Sequence, residues 1–241
     1  MSVPVDSVIL TYHSIDSSGS VLSTCPHLFA EQMAQLAAGP YRIIPLDEIG
    51  HSPGTLAITF DDGYRNFAAD ALPVLERLKI PATIFIVAGE CGGTNRWDAH
   101  NADIPKLPLM EWDELRDICG RGVTIGAHTM THPNLTKLLL ADAEREISTA
   151  QVQLQDRLRQ PVREFAYPYG ALTPEVRSIV SNYYQLACGT ELGFASDPLD
   201  RLLLPRIDAY YLRSRPVFRR FAAGKARGYL AARRLLRGLR S

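Results

Sequence analysis

Apolar strand segments alternating with amphipathic helices predict an α/β chain built on mostly parallel strands. Three observations carry that expectation. Residues 7–12, 56–60 and 82–87 are near-continuous apolar runs, the pattern of strands buried on both faces. Between the second and third runs, Phe67, Ala71, Leu72, Leu75 and Leu78 fall on one stripe of a helix over residues 66–78. A strand, a helix and a further strand at such short spacing need a crossover, which makes the two strands parallel. About eight strands follow from this reading, and such units build a sheet or a barrel with functional groups at the strands' C-terminal ends.

In chain order, the first strand covers residues 7–13 and ends in His13. Residues 28–38 alternate apolar and polar positions at helical spacing, and residues 46–49 lead to the second buried strand, which closes on Thr59-Phe60-Asp61-Asp62-Gly63. Pro81 opens the strand over 82–87, and a glycine-rich loop occupies 89–98. That loop lacks the Lys-(Ser/Thr) of a nucleotide cradle. Its Asn95, Arg96 and Trp97 have the chemistry of a sugar-site rim, an indole face for the apolar side of a pyranose and amide and guanidinium groups for hydroxyls. Packing of Trp97 under the loop is the competing expectation. A helix over 111–121 begins at Trp112, read as a packing residue, and a strand over 123–125 runs into Gly126-Ala127-His128-Thr129-Met130-Thr131-His132-Pro133. A long helix over 141–159 has Ala143, Ile147, Ala150, Leu154 and Leu158 at core spacing. The segment Phe165-Ala166-Tyr167-Pro168-Tyr169-Gly170 is an aromatic strand ending in a turn, followed by a helix over 174–182 and a strand over 184–188.

Two adjacent carboxylates at a strand end raise one another's pKa unless a cation or hydrogen-bond donors compensate. A strand sends neighbours to opposite faces, but Gly63 permits a sharp turn that brings Asp61 and Asp62 into one pocket. Asp-Asp-Gly is also an ordinary turn former. His128 and His132 give the acidic pair a second meaning, because imidazoles and a carboxylate are zinc ligands, and three protein ligands leave a position open for water or substrate. Pro133 pushes His132 away from the helical region, so the pair belongs on a loop, and there is no His-Glu-x-x-His.

The succession of Thr-Phe-Asp-Asp-Gly, His-Thr-Met-Thr-His and Tyr-Pro-Tyr-Gly resembles the polysaccharide deacetylase family, carbohydrate esterase family four, across roughly residues 7–210. The resemblance implies a distorted (β/α) barrel of about seven or eight mostly parallel strands with outer helices. It implies metal-dependent hydrolysis of N-acetyl groups on an N-acetylated sugar of a polysaccharide, oligosaccharide or lipid-linked glycan, with release of acetate. It assigns Asp62, His128 and His132 to a divalent metal, zinc first and cobalt, nickel, iron or manganese as alternatives, and Asp61 to the role of general base. It places the oxyanion and substrate-binding groups at the turn carrying Tyr167 and Tyr169. The chain departs from the family pattern twice. The family's late Leu-x-His is absent from residues 203–208; relatives resembling exopolysaccharide N-deacetylases use an N-terminal Tyr-His there, which points to His13 as general acid. A hydrogen-bonded strand-end histidine is the plainer reading. The arginine that often opens the third motif is missing at Ala166 or Tyr167, which leaves Arg206 or Arg96 to orient Asp61. Two other functions stay open: a C–N hydrolase of the same fold acting on a formamide or small non-sugar amide, and a non-catalytic carbohydrate-binding protein.

With 241 residues and 46% hydrophobic content, the chain can bury one core, and residues 1–241 are expected to form a single catalytic domain with a basic helical extension at about 211–241. Cys25, Cys91, Cys119 and Cys188 are scattered and suggest neither a zinc knuckle nor a disulfide framework. No signal-peptide pattern is visible at the start, and no apolar run reaches the ~20 residues of a membrane span. A cytoplasmic protein, met at the inner face of the membrane, is the expectation. After Asp208 come ten basic residues and no acid, so the neutral total conceals a body of −10 and a tail of +10. Phe218, Phe221, Tyr229, Leu235, Leu236 and Leu239 are interleaved with these charges. Peripheral membrane contact through the tail and folding of the tail onto the acidic body are the two expectations. Nucleic acid is not an expected partner, because no recognised module accompanies the charge.

Overall fold

The computed structural model describes residues 6–195 and 199–238. Residues 1–5, Leu239 and Arg240 lie outside the described residues. Eight parallel strands form one sheet: β1 (Val8–Tyr12), β2 (Arg42–Ile43), β3 (Thr55–Phe60), β4 (Ala82–Ile86), β5 (Val123–Ala127), β6 (Glu164–Ala166), β7 (Leu186–Cys188) and β8 (Ile207–Asp208). The order is β7-β6-β5-β4-β3-β1-β8, with β2 added beside β3. The two edges meet through one stretch of chain: Leu204 pairs with Cys188, and Ile207 and Asp208 then pair with Leu10 and Thr11. The expected barrel is present, and it is distorted because only this short stretch closes it.

The two-residue period of a strand sorts the core. Val8, Leu10 and Tyr12 of β1 face outward, where they pack with Phe29, Phe60 and Phe67 beneath the helices. Ile9 faces inward with Ala57, Phe85, Leu186 and Leu204. Continuing the same period, Thr11 and His13 follow Ile9 up the inner face, while Thr59 and Asp61 follow Ala57. The barrel is therefore apolar at its base and polar at its mouth.

The outer helices are α1 (Pro26–Ala37), α2 (Leu72–Leu78), α3 (Trp112–Ile118), α4 (Leu140–Leu158) and α5 (Pro174–Tyr183). The stripe read from α4 is buried throughout, with Ala143, Ile147, Ala150 and Leu154 fully enclosed. The helix expected over 66–78 starts as a wider π-helical turn, Phe67–Ala71, before α2. The helix expected to reach residue 121 stops at Ile118, since Gly120 and Gly122 adopt left-handed φ values of 79° and 78°, a conformation that glycine enters at little cost.

The tail forms α6 (Arg215–Ala222) and α7 (Arg227–Gly238). Phe218, Phe221, Ala222, Ala226 and Leu230 join the core, and Arg215, Arg227 and Arg234 pair with Glu31, Asp6 and Glu191. The tail thus folds onto the body. Each buried phenylalanine contributes roughly 1.5–3 kcal/mol, against about 0–1 kcal/mol for an exposed ion pair, so burial of Phe218 and Phe221 dominates the docking. Among the described residues no helix is long and apolar enough to cross a membrane.

Candidate active site

The mouth of the barrel is assembled from strand ends and tight turns. β3 carries its ladder one residue further, with the Asp61 N–H donating to the Tyr12 carbonyl at 3.0 Å. The chain then reverses through two left-handed residues, Asp62 (φ 73°) and Gly63 (φ 78°). A side chain at Gly63 would place its Cβ 2.9 Å from the Ile86 side chain. This turn is what overrides strand alternation and lets both acids reach the mouth.

Asp61 is buried and bound at both oxygens by Arg206, each contact 2.7 Å. Arg206 is buried as well, and it also donates to the Gly189 carbonyl at 2.9 Å and to the hydroxyls of Thr11 and Thr59 at 3.1 and 3.4 Å. Burial disfavours ionised Asp61, but the Arg206 guanidinium outweighs it and holds the carboxyl well below the usual carboxylate range. His13 lies across the same cavity, with Nε2 3.8 Å from Asp61 Oδ2. Burial lowers its basicity, yet the carboxylates of Asp208, Asp61 and Asp62 outweigh that and raise its pKa above the ordinary histidine value. The cavity measures about 270 Å³, and His13, Asp61, Tyr169, Asp208 and Tyr211 are among its lining.

Beside it, Asp62 Oδ1 lies 3.6 Å from His128 Nε2 and 3.4 Å from His132 Nε2, and the two Nε2 atoms are 3.1 Å apart. Nδ1 of His128 is 2.7 Å from the Ala166 carbonyl. A carbonyl only accepts, so Nδ1 carries the proton and Nε2 presents a lone pair. Burial lowers the His128 pKa to about 4 and pushes Asp62 up to about 7. Asp62 Oδ1 is buried without a hydrogen-bond partner. A buried carboxylate oxygen without a partner, the His128 Nε2 lone pair and the His132 imidazole converge on one point, a donor set that fits a divalent metal.

The loop from β5 holds the histidines in unusual backbone geometry, with left-handed φ at Thr129 (66°) and His132 (61°). Such positions cost about 1–3 kcal/mol each and persist only where the surroundings fix them. Here Glu146 of α4 fixes them: its carboxylate accepts from the backbone N–H groups of Met130 and Thr131, both at 2.9 Å, and from the Thr131 hydroxyl at 2.8 Å. The Thr129 hydroxyl accepts the His132 N–H at 3.0 Å.

The structure thus brings Asp61, Asp62, His13, His128, His132, Tyr169 and Arg206 together. Trp97 stacks on His132 at 4.7 Å, and the half-exposed Tyr169 meets the same imidazole edge-on at 4.7 Å. Tyr167 is a correction: it is fully buried, packs against Phe165 and donates its hydroxyl to the Leu202 carbonyl, so it cannot touch substrate. Asn95 is another, since its buried amide bonds Asp98, Pro105 and Leu107 within its own loop. Arg96 is committed to Glu90 at 2.8 and 2.5 Å and lies apart from Asp61, which settles the orienting arginine on Arg206. Sequence reasoning missed Tyr64, buried beside Asp62, and Glu146, read only as part of a helix. Tyr64 had a local signal, two residues after Asp62; Glu146 had none.

A family profile described as polysaccharide deacetylase matches residues 49–185. The protein YxkH of Bacillus subtilis (strain 168) is 28% identical over 213 residues, covering 85% of this chain and 71% of that one. The poly-beta-1,6-N-acetyl-D-glucosamine N-deacetylase of Staphylococcus aureus (strain N315) is 25% identical over 164 residues, 64% of this chain and 51% of that protein, so the chain spans about half the length of that relative. Among solved structures, IcaB from Ammonifex degensii superposes with a TM-score of 0.75 at 24% identity, covering 92% of this chain and 97% of that one, a likeness of fold. With the matched profile spanning more than half of its length and the acidic pair and both histidines inside the matched residues, this chain belongs to the polysaccharide deacetylase family.

Proposed function

We propose that this protein removes N-acetyl groups from an N-acetylated glycan, releasing acetate and a free amino sugar. The observation that carries the reading is the convergence, at one barrel mouth, of an arginine-bound carboxylate, a three-ligand donor set and a histidine of raised basicity. Asp62, His128 and His132 would hold a divalent cation, with zinc as the first choice; such an ion polarises a carbonyl and lowers the pKa of a nearby water. Asp61, kept ionised and oriented by Arg206, takes the proton from the water that attacks the amide carbon. The backbone N–H of Tyr169 supports the developing oxyanion. His13 donates its proton to the departing nitrogen, so the amine leaves neutral. Trp97 and Tyr169 flank His132 and offer apolar faces to a sugar ring.

The glycan class follows from the family and from the relative named for poly-beta-1,6-N-acetyl-D-glucosamine. A lipid-linked glycan met at a membrane surface is the acceptor we favour within that class. The test is acetate release from a panel of N-acetylated glycans and glycolipids, with and without chelator. Activity is expected to vanish with EDTA and return with zinc or cobalt. Unchanged bound-metal content in Asp62→Ala would remove the ligand assignment.

A further inference from the structure

Helix α7 has two unlike faces. Towards the body, Ala226 and Leu230 are buried and the Tyr229 hydroxyl donates to the Tyr211 carbonyl at 2.7 Å. Arg233 lies over the Tyr229 ring at 5.5 Å, and Arg234 and Arg227 reach Glu191 and Asp6. At 3.6 residues per turn, Gly228, Ala231, Ala232, Leu235 and Leu236 make one contiguous stripe on the opposite side. All five are exposed, Leu235 at 69% and Leu236 at 54%. Surface helices of soluble proteins ordinarily turn polar groups outward. Arg227, Arg233 and Arg234 lie along its flanks, and the outer stripe has no polar side chain among the described residues.

We propose that this stripe docks on an anionic lipid surface. Interfacial helices combine an apolar face that enters the headgroup boundary with flanking cations that meet anionic lipid. Exposed Arg219 and Arg220 of α6 and Lys225 between the helices make no ion pair among the described residues, and no acid follows Asp208 to oppose them. A second copy of the chain fits less well, because pairing this face with itself would bring two +10 tails together. The position of α7 gives docking a consequence. The helix rests on Tyr211, which lines the active-site cavity, and on Glu191, whose carbonyl accepts the Arg206 N–H at 2.9 Å. Lipid held against the outer stripe would lie across the helix from Tyr211, one helix diameter of roughly 10 Å away. The docking itself is independent of the deacetylase reading and needs no activity to be tested.

The full-length protein is floated with vesicles of mixed phosphatidylcholine and phosphatidylglycerol, and with phosphatidylcholine vesicles alone, alongside Leu235→Glu/Leu236→Glu and Arg219→Gln/Arg220→Gln/Lys225→Gln. Both variants change exposed positions, and circular dichroism confirms that they fold. The wild type is expected to float with the mixed vesicles and not with the neutral ones. The leucine variant should bind at least about tenfold more weakly, and the charge variant should lose the preference for anionic lipid. Wild type that stays unbound, binds both vesicle types equally, or is matched by the leucine variant overturns the proposal. So does a dimer in sedimentation velocity that Leu235→Glu/Leu236→Glu abolishes without any flotation, which would make the stripe an interface between copies.

Discussion

Arg206 holds both carboxylate oxygens of Asp61 at 2.7 Å, reaching them from a position 145 residues further along the chain. Two-point binding fixes the plane of the carboxylate as well as its charge, so Asp61 presents itself to the cavity in one orientation. A lysine offers a point charge and cannot reproduce that fork.

Arg206→Ala leaves Asp61 buried without its cation, and the expected loss is about 3–5 kcal/mol of stability at neutral pH, measured by urea denaturation. The sign of the pH dependence follows from the depressed carboxyl. Its contribution is complete above the unfolded aspartate pKa of about 3.9 and is lost as pH falls towards the lower folded value. The variant should lack that component of the acid slope. Equal stability of the two proteins at pH 7 would show that the pair does not hold the mouth together.

For the rate, His13 must be protonated to act as an acid, and its pKa is raised. Activity is therefore present below that pKa and declines as pH rises through it, so the alkaline limb of kcat/KM should lie above the ordinary histidine value of about 6.5. His13→Gln should remove the limb together with most of the turnover. Full turnover in that variant would return His13 to the plain role of a strand-end histidine.

The acidic pair and the two histidines were legible in the sequence because their signals are local. Asp61 and Asp62 adjoin at the end of an apolar run, and His128 and His132 stand four residues apart before a proline. Arg206 was legible only as one of two candidates, since the choice between it and Arg96 depends on which edge of the barrel closes against β1. Tyr167 was misread although a signal was available: the two-residue period that turns Ala166 inward puts Tyr167 on the outer side with Phe165. The tail's direction depended on Phe218 and Phe221 finding room in the core, a tertiary fact that charge counting does not contain.

Glu146 is expected to act on metal affinity through the histidine loop. Glu146→Ala removes the acceptor for two backbone N–H groups and the Thr131 hydroxyl, and supporting residues of this kind are commonly worth 10–100-fold in affinity, so a loss of that order is expected. Competition with a chromophoric chelator reads it directly, without substrate. Wild-type zinc affinity in a folded Glu146→Ala protein would mean the left-handed residues hold their shape unaided.

Tyr167 and Tyr169 stand two residues apart in one motif and should respond in opposite ways. The Tyr167 hydroxyl is spent on the Leu202 carbonyl at 3.1 Å, so Tyr167→Phe is expected to lower stability by about 1 kcal/mol, with kcat/KM unchanged. Tyr169 is half exposed beside His132. Tyr169→Ala should leave the unfolding midpoint close to wild type while raising KM for a glycan, since the lost group is an apolar wall of the site and not a core residue. Measuring both proteins by chemical denaturation and by acetate release separates the two tyrosines. A large fall in kcat/KM for Tyr167→Phe at unchanged stability would put its hydroxyl back in contact with substrate and contradict its burial.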